Sequence, residues 1–282
     1  MFSAAQSSAT PVIVQLTPAA RNYAHPEMLM AMIKAAAGIY PETVFAVHLD
    51  HGVEDHAFDA INNGYTSVMI DASHDDYEVN IKRTKAVVEA AHKKNVFVEA
   101  ELGILSGVED DINIEEGRGR YTDPNQAREF VERSGCDSLA VAVGTSHGAY
   151  KFSAGKGLQF DVLEKIQYQL PGYPLVLHGS SGVNKNDVAE INRLGGELSE
   201  NASGVTDAEL QKAIQYGICK VNIATDLRLL WTKIHRRFFA GQPELFDPVI
   251  PGKEYMKAYK EFMIERFEVL GCKGKSPSIK RN

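Results

Sequence analysis

The stretch VFAVHLDHG at residues 44–52 carries the first strong indication of the fold. Its first residues are apolar without the alternation of a half-buried strand, which is typical of a parallel strand covered on both faces. Its end is polar, because Asp50 and His51 follow directly on the apolar run. A buried strand that ends in a carboxylate and an imidazole predicts a functional site at the carboxyl edge of a parallel sheet.

The same pattern repeats along the chain. Short runs rich in Val and Ile alternate with longer stretches of helical period, which indicates βαβ units and a parallel sheet. The irregular stretches 104–122, 144–159 and 195–205 are interpreted as active-site loops. Strands are predicted over residues 11–16, 44–51, 67–72, 96–103, 138–143, 174–179 and 219–225, and helices over 26–37, 54–63, 76–94, 123–134, 160–169, 184–194, 206–216, 226–240 and 253–270.

The number of predicted strands bears on the architecture. An α/β TIM barrel of the (β/α)8 type has eight strands, whereas this chain offers seven. Residues 2–9 look like the end of a helix, and the pattern then opens on a strand. We therefore expect either an open sheet or a TIM barrel that lacks its first strand–helix unit. No linker divides the chain, so we expect a single barrel domain over 1–282 with a C-terminal helical extension.

Composition limits the class of protein. Hydrophobic residues make up 44% of the 282 residues and charged residues 24%, as in an ordinary globular protein. Lysine and arginine number 30 against 37 acidic residues, a net charge of −7, so we expect no nucleic-acid partner. No apolar run approaches about 18 residues, so we expect no membrane partner. Three widely spaced cysteines favour a reducing compartment and a cytoplasmic location.

Polar side chains close six successive predicted strands, which favours a site where the strand ends meet. Three histidines among them form the donor set of a catalytic zinc site, with one coordination position left open. For each histidine taken singly, a hydrogen-bonded structural role is the alternative. His48 is a weaker alternative ligand, because strand alternation places it on the face opposite His51. The strand-end residues are Asp50, His51, Asp71, Glu99, Glu101, His147, His178 and Asn222.

Two glycine-rich turns, GTSHGA at 144–149 and HGSSG at 178–182, follow strands directly. Closely spaced glycines let backbone N–H groups approach an anion, and barrels often bind phosphate on the loops after their last two strands. Tight turns without a ligand are the alternative interpretation. An acidic cluster at residues 109–116 is typical of a solvated loop.

Together these motifs resemble those of the class II fructose-bisphosphate aldolases, in the family's order over roughly residues 10–270. The resemblance implies reversible cleavage of a ketose 1,6-bisphosphate into dihydroxyacetone phosphate and glyceraldehyde 3-phosphate, as in glycolysis and gluconeogenesis. It further implies a (β/α)8 barrel, a dimer or tetramer, Zn²⁺, a second divalent or monovalent cation, and a phosphosugar substrate. The segments that carry it are VHLDHG (47–52), SVMIDASH (67–74), VEAELG (98–103), GTSHGAYKF (144–152), LVLHGSSGV (175–183) and KVNIATDLR (220–228).

The resemblance also implies roles for individual residues. Asp50 matches the acid/base at the C4 hydroxyl, and Glu109 matches the residue that moves a proton on the dihydroxyacetone carbon. Lys220 lies near the start of its predicted strand, so it does not suit the Schiff-base chemistry of the other aldolase class. The family's zinc ligands correspond to His51, His147 and His178. The positions that hold a second metal or support the first correspond to Asp71 and Glu101. The phosphate and cation loops correspond to Gly148, Gly179, Ser181, Asn222 and Thr225.

Three features depart from the family pattern. The family's first strand is not found ahead of residue 10, the family's Asp-Pro-Arg ends in Val249, and its NxDT motif carries Ala224, as in the tagatose-bisphosphate branch. The alternatives are therefore a tagatose-bisphosphate or ketose-1-phosphate aldolase, or a non-catalytic truncated paralogue. A metal-dependent hydrolase on the same barrel is a further alternative, although its expected HxH pair is missing from the first strand.

Overall fold

The computed structural model describes residues 1–109, 112–114, 119–147 and 157–279, and for residues 106–109, 112–114 and 147 it describes the backbone alone. All seven predicted strands are present, with ends that differ by a few residues from those predicted. In chain order the strands are β1 (Val12–Leu16), β2 (Phe45–Gly52), β3 (Ser67–Ile70), β4 (Phe97–Leu102), β5 (Ser106–Glu109), β6 (Ile112–Ile114), β7 (Ser138–Val141), β8 (Ser146–His147), β9 (Leu175–Leu177) and β10 (Ile218–Val221).

Seven strands form one parallel sheet in the order β1-β2-β3-β4-β7-β9-β10. Spatial order follows chain order, so each crossover moves one strand further in the same direction, as in a barrel. The remaining strands form a small separate sheet in the order β6-β5-β8, in which β5 pairs with β8 in parallel. These short strands lie in stretches that the sequence predicted to be irregular.

The helices begin where local sequence signals predict. Asp123 caps α6 by accepting the N–H of Asn125, and Thr206 forms a capping box with Glu209 at α9. The sequence patterns did not predict the short helix α2. No helix in the described ranges is long and apolar enough to cross a bilayer. The helices are α1 (Phe2–Ser7), α2 (Pro18–Ala24), α3 (Pro26–Ile39), α4 (Glu54–Asn62), α5 (Tyr77–His92), α6 (Pro124–Ser134), α7 (Phe160–Gln169), α8 (Lys185–Arg193), α9 (Asp207–Gln215), α10 (Thr225–Gly241) and α11 (Val249–Val269), followed by a 3₁₀ turn at Ser276–Ser278.

The sheet is strongly curled, as one distance shows. Three strands separate β2 from β9, so a flat sheet would hold them about 19 Å apart at a strand spacing of about 4.8 Å. Ring nitrogens of His51 on β2 and His178 after β9 nevertheless lie 2.8 Å apart. The sheet therefore forms a TIM-like partial barrel. Among the described residues no strand lies between β1 and β10, which is consistent with the expected barrel short of one unit.

The apolar core lies between the curled sheet and the helices outside it. Leu49, Val68 and Leu139 on the strands are completely buried, as is Val87 on α5. Complete burial of a Val or Leu side chain stabilises the fold by about 1.5–3 kcal/mol. The strand ends are thus held rigidly by packing, which fixes the side chains they carry.

Candidate active site and metal centre

The carboxyl end of β2 departs from a regular strand. Its register with β3 shifts between Leu49 and Gly52, and His51 adopts a left-handed conformation with φ of 48°. This break turns His51 to the same interior side as His48 and Asp50. The expectation that His48 and His51 lie on opposite faces is therefore wrong, because the alternation rule holds only for an unbroken extended strand.

Two imidazole rings meet at the centre of the strand ends. His51 contacts Asp71 through Nδ1 at 2.9 Å, and His178 contacts Glu99 through Nε2 at 2.8 Å. An ionised carboxylate only accepts hydrogen bonds, so each ring carries its hydrogen on the outer nitrogen. The inner nitrogens, Nε2 of His51 and Nδ1 of His178, then face each other as acceptors across 2.8 Å. Nδ1 of His178 also lies 3.2 Å from the amide nitrogen of Asn222. Two imidazole nitrogens directed at each other in this way suit a bound cation.

The carboxylate of Asp71 is held in its ionised form. Burial alone would raise the pKa of Asp71, but the hydrogen bonds from His51 and Ser73 outweigh burial and hold the pKa below its usual range. Ser73 donates from both its backbone N–H and its hydroxyl to Oδ1 of Asp71, at 3.1 and 2.8 Å. Asp71 therefore orients the imidazole of His51, as the outer partner of a metal-bound histidine does.

The carboxylate of Glu99 is ionised for a similar reason. Burial acts to raise the pKa of Glu99, and the positive charge of Lys220 together with the hydrogen bond from His178 lowers it below its usual range. The Lys220 ammonium donates to Oε2 of Glu99 at 2.7 Å. Sequence analysis placed Glu99 at a strand end and predicted no role for it. Sequence analysis placed Lys220 near the start of its strand, whereas in the structure it is the third of four residues in β10 and its ammonium reaches Glu99.

Two overlapping groups of side chains have the spacing needed to hold a metal ion. Their ligand atoms lie within 4.8 Å of one another in each group, and His51 belongs to both. Imidazole nitrogen with carboxylate oxygen is a donor set that suits zinc and other divalent transition metals. The residues therefore fit a divalent ion. The first group is Asp50, His51 and His178, and the second is His51, Asp71 and Glu101.

Asp50 is buried and held from two sides. Gln15 on β1 donates its amide N–H to Oδ2 at 3.1 Å, and Asn222 donates to Oδ1 at 3.2 Å. Both carboxylate oxygens are thus fixed by neutral donors beside His51. Sequence analysis identified Asn222 but missed Gln15. The signal that could have revealed Gln15 is its amide within the otherwise apolar run VIVQL.

Below the two histidines lies a further polar group. The ring of His48 contacts the Ser67 hydroxyl through Nδ1 at 2.8 Å, and its Nε2 lies 3.4 Å from the Lys220 ammonium. Burial, reinforced by the charge of Lys220, lowers the pKa of His48 to about 3. His48 is therefore neutral near pH 7, and the cation beside it makes it a poor candidate for a metal ligand.

The backbone brings two further predicted residues toward this centre. His147 ends β8, and Gly107 of β5 pairs with it, so the strand that ends in Glu109 runs beside His147. The carbonyl of Ser146 also lies against Gly179, the residue after His178. The side chains of His147 and Glu109 and the whole of Gly148 lie outside the described residues. Their roles remain predictions.

The loop after β9 is fastened to the start of α10. The carboxylate of Asp226 accepts the backbone N–H groups of Gly182 and Val183 at 2.7 and 2.8 Å. The backbone N–H of Asp226 lies 3.4 Å from the hydroxyl of Ser181, which is buried. The predicted phosphate-loop residues Gly179, Ser181, Asn222 and Thr225 therefore lie on two adjoining segments at the ends of β9 and β10.

Replacing Gly179 with alanine is expected to disturb both the fold and the site. Gly179 has φ of 60°, and a Cβ there would lie 2.5 Å from the carbonyl oxygen of Ser146. We expect Gly179→Ala to lower the free energy of unfolding by about 3 kcal/mol or more, measured by urea denaturation. Gly172→Ala is the matched control, because Gly172 has φ of 74° with open space around it; it should cost only about 1 kcal/mol. Equal losses in both variants would contradict the close approach.

Comparison with known proteins gives similar sequences over nearly the whole chain. The family model described as fructose-bisphosphate aldolase class-II matches residues 1–275. A fructose-bisphosphate aldolase of Thermus caldophilus is 43% identical over 286 residues, covering 98% of this chain and 90% of its own length. The fructose-bisphosphate aldolase of Giardia intestinalis is 39% identical, covering 96% of this chain and 83% of its own.

Solved structures give the same result for the fold. The YdjI aldolase from Escherichia coli K12 superposes with a TM-score of 0.74 at 30% identity, covering 98% of this chain and 87% of its own. Fructose-bisphosphate aldolase from Campylobacter jejuni superposes with a TM-score of 0.70 at 20% identity, covering 97% and 87%. At that lower identity the likeness establishes the fold alone.

Proposed function

The chain belongs to the class II fructose-bisphosphate aldolase family, and on that basis we propose that it cleaves fructose 1,6-bisphosphate reversibly into dihydroxyacetone phosphate and glyceraldehyde 3-phosphate, with zinc as its metal. The observation that carries the proposal is the pair of buried imidazoles. Nε2 of His51 and Nδ1 of His178 face each other at 2.8 Å, and a carboxylate holds the outer nitrogen of each ring. This arrangement supports a cation at the point where strand ends converge.

In this proposal His51, His178 and His147 hold the metal. A bound divalent ion supplies a Lewis acid that stabilises the negative charge developing on the substrate as the C3–C4 bond breaks. Asp71 supports the first metal through its hydrogen bond to His51, and Asp71 with Glu101 offers a place for a second cation.

Asp50 takes the proton of the C4 hydroxyl. Its two oxygens are held by the amides of Gln15 and Asn222, so the carboxylate is fixed beside the metal ligands before substrate arrives. The electrons of the broken bond pass to C3 of the three-carbon fragment. Glu109 then donates a proton to that carbon, a role that the family resemblance supports.

The glycine-rich loops bind the phosphate of the dihydroxyacetone half. Backbone N–H groups around Gly148 and Gly179 and the side chains of Ser181, Asn222 and Thr225 are the proposed contacts. Asp226 is not one of them, because its carboxylate is engaged by the N–H groups of Gly182 and Val183. Its part is to hold the loop in shape.

We expect Asp226→Ala to raise KM for fructose 1,6-bisphosphate about tenfold while kcat changes less than about threefold. The loss of two charge-assisted hydrogen bonds, each worth about 1.5–3 kcal/mol, loosens the phosphate loop without touching the metal ligands. Steady-state kinetics measures KM and kcat, and zinc content shows whether the metal is retained. A fall in kcat with unchanged KM would contradict this role.

Proton exchange of dihydroxyacetone phosphate in D₂O, followed by NMR with and without a chelator, tests the proposed function. The exchange needs the metal, the phosphate loop and the proton-transfer group, but no particular aldehyde. We expect exchange that chelator abolishes and added zinc restores. Absence of exchange from folded, zinc-loaded protein would refute the aldolase and favour the non-catalytic alternative.

Val249 favours a second candidate substrate. It is the first residue of α11 and is 55% exposed, at the position where the family motif has arginine. A valine cannot bind the far phosphate, and Ala224 likewise resembles the tagatose-bisphosphate branch. Cleavage rates on fructose 1,6-bisphosphate, tagatose 1,6-bisphosphate and a ketose 1-phosphate, compared side by side, decide the matter.

We further propose a cytoplasmic, single-domain homo-oligomer, either dimer or tetramer. The C-terminal α11 packs against α1, α9 and α10, which supports a single domain. Large apolar side chains are exposed on and near α10 and α11, among them Phe246 at 89% and Met256 at 72%, which supports association. The three cysteines are separate thiols, as in a reducing compartment. Light scattering on the purified protein measures the subunit number.

A further inference from the structure

The barrel interior beneath the two histidines carries a buried ion pair that the proposed reaction does not use. The side chains of Glu99 and Lys220 are 2% and 10% exposed, and their charged groups lie 2.7 Å apart. Layers of branched apolar side chains normally fill such an interior. Removing two charges from water costs stability that an apolar pair of similar volume would retain. The ion pair between Glu99 and Lys220 therefore points to a role other than stabilising the fold.

Each oxygen of Glu99 is engaged by a different donor. Oε1 lies 2.8 Å from Nε2 of His178, and Oε2 accepts from Lys220. Rotation of the carboxylate would therefore break both contacts together. On its other side Lys220 lies 3.4 Å from Nε2 of the neutral His48, whose Nδ1 contacts the hydroxyl of Ser67. The ammonium is thus held between the carboxylate of Glu99 on one side and the ring of His48 on the other.

We propose that Lys220 is a positioning residue for the metal centre: its ammonium fixes the Glu99 carboxylate, which holds His178 with Nδ1 directed toward His51. This inference rests on the proposed function, because it takes His178 as a metal ligand. Lys220 acts through Glu99 and touches neither metal nor substrate. Without the ammonium, the carboxylate and the ring turn together, and the ligand nitrogen loses its direction.

Zinc affinity of the purified full-length protein tests the proposal, measured by competition with a chromogenic chelator. We expect Lys220→Met and Glu99→Gln each to weaken zinc binding by about 10-fold or more, as loss of an outer partner does. Because Lys220 acts through Glu99, the double variant should bind zinc within about twofold of Glu99→Gln alone. In the double variant a neutral amide replaces the carboxylate that Lys220→Met alone would leave without its cation. The double variant can therefore be compared with Glu99→Gln even where Lys220→Met fails to fold.

A second readout reports the ring itself. In long-range ¹H–¹⁵N spectra of the zinc-free protein, we expect His178 to be protonated at Nε2 in wild type and to show a mixture of tautomers in Lys220→Met. Lys233→Met is the matched control, because Lys233 pairs with Asp187 at 2.7 Å between α10 and α8, with both side chains largely buried. Its zinc affinity and the His178 spectrum should equal those of wild type.

Three results would overturn the proposal. They are wild-type zinc affinity in Lys220→Met, an equal loss in Lys233→Met, and a double variant that binds zinc about tenfold more weakly than Glu99→Gln. Folded wild-type protein that binds no zinc would overturn the metal centre and this inference with it. Coupled zinc affinities in a protein without aldolase activity would instead uphold the role of Lys220 and count against the proposed reaction alone.

Discussion

Asp50→Asn is expected to lower kcat for cleavage of fructose 1,6-bisphosphate by about 10³-fold, within the range that loss of a general base produces. The amide cannot take the proton of the C4 hydroxyl. The side chain keeps its size, so the change acts on chemistry more than on packing. It also meets the donors of Gln15 and Asn222 with an N–H group of its own, which disturbs one of the two hydrogen bonds that hold Asp50.

The half-reactions separate this effect from a general loss of the site. Proton exchange on dihydroxyacetone phosphate does not involve the C4 hydroxyl, so Asp50→Asn should retain it within about tenfold. Asp161→Asn is the control, because the Asp161 side chain on α7 is exposed, and it should match wild type in both assays. Cleavage by Asp50→Asn within tenfold of wild type, at full zinc content, would remove Asp50 from its proposed role.

His178→Ala is expected to abolish both cleavage and exchange, in contrast to Asp50→Asn. His178 is completely buried, and its ring supplies the nitrogen that faces His51. Loss of a ligand should exceed the roughly 10–100-fold effect of losing an outer partner, so we expect activity to fall at least about 10³-fold and zinc to be lost on dialysis.

Metal analysis and both kinetic assays measure this outcome. His235→Ala is the matched control, because His235 is a half-buried histidine on α10, away from the strand ends, whose ring stacks on Trp231. It should keep wild-type zinc content and rates. His178→Ala that retains stoichiometric zinc with activity within tenfold would show that the metal centre lies elsewhere.

Much of the barrel could be predicted from local sequence. Short apolar runs such as Leu175–Leu177 are buried on both faces, which only a covered parallel strand requires. Asp123 and Pro124 marked the start of α6 because capping is a local interaction. Strands β5, β6 and β8 escaped prediction, since segments of two to four residues are too short to show a period.

The meeting of polar side chains at the candidate site was predictable, but their individual contacts were not. Polar residues at strand ends identified His51, His178 and Asn222, because parallel strands place their carboxyl ends at one edge. The left-handed backbone at His51 leaves no mark in composition. The contact of Lys220 with Glu99 joins positions 121 residues apart, and no local pattern reports a pairing across the barrel.

The contact between His51 and His178 also has a consequence for folding. These residues are 127 positions apart, and they meet only after β3, β4 and β7 have paired and the sheet has curled. Contacts of such long sequence separation form late, because loop closure must precede them. In a refolding experiment, zinc capture should therefore lag behind the appearance of helix. The time at which zinc binds would then report when the last stage of folding is complete.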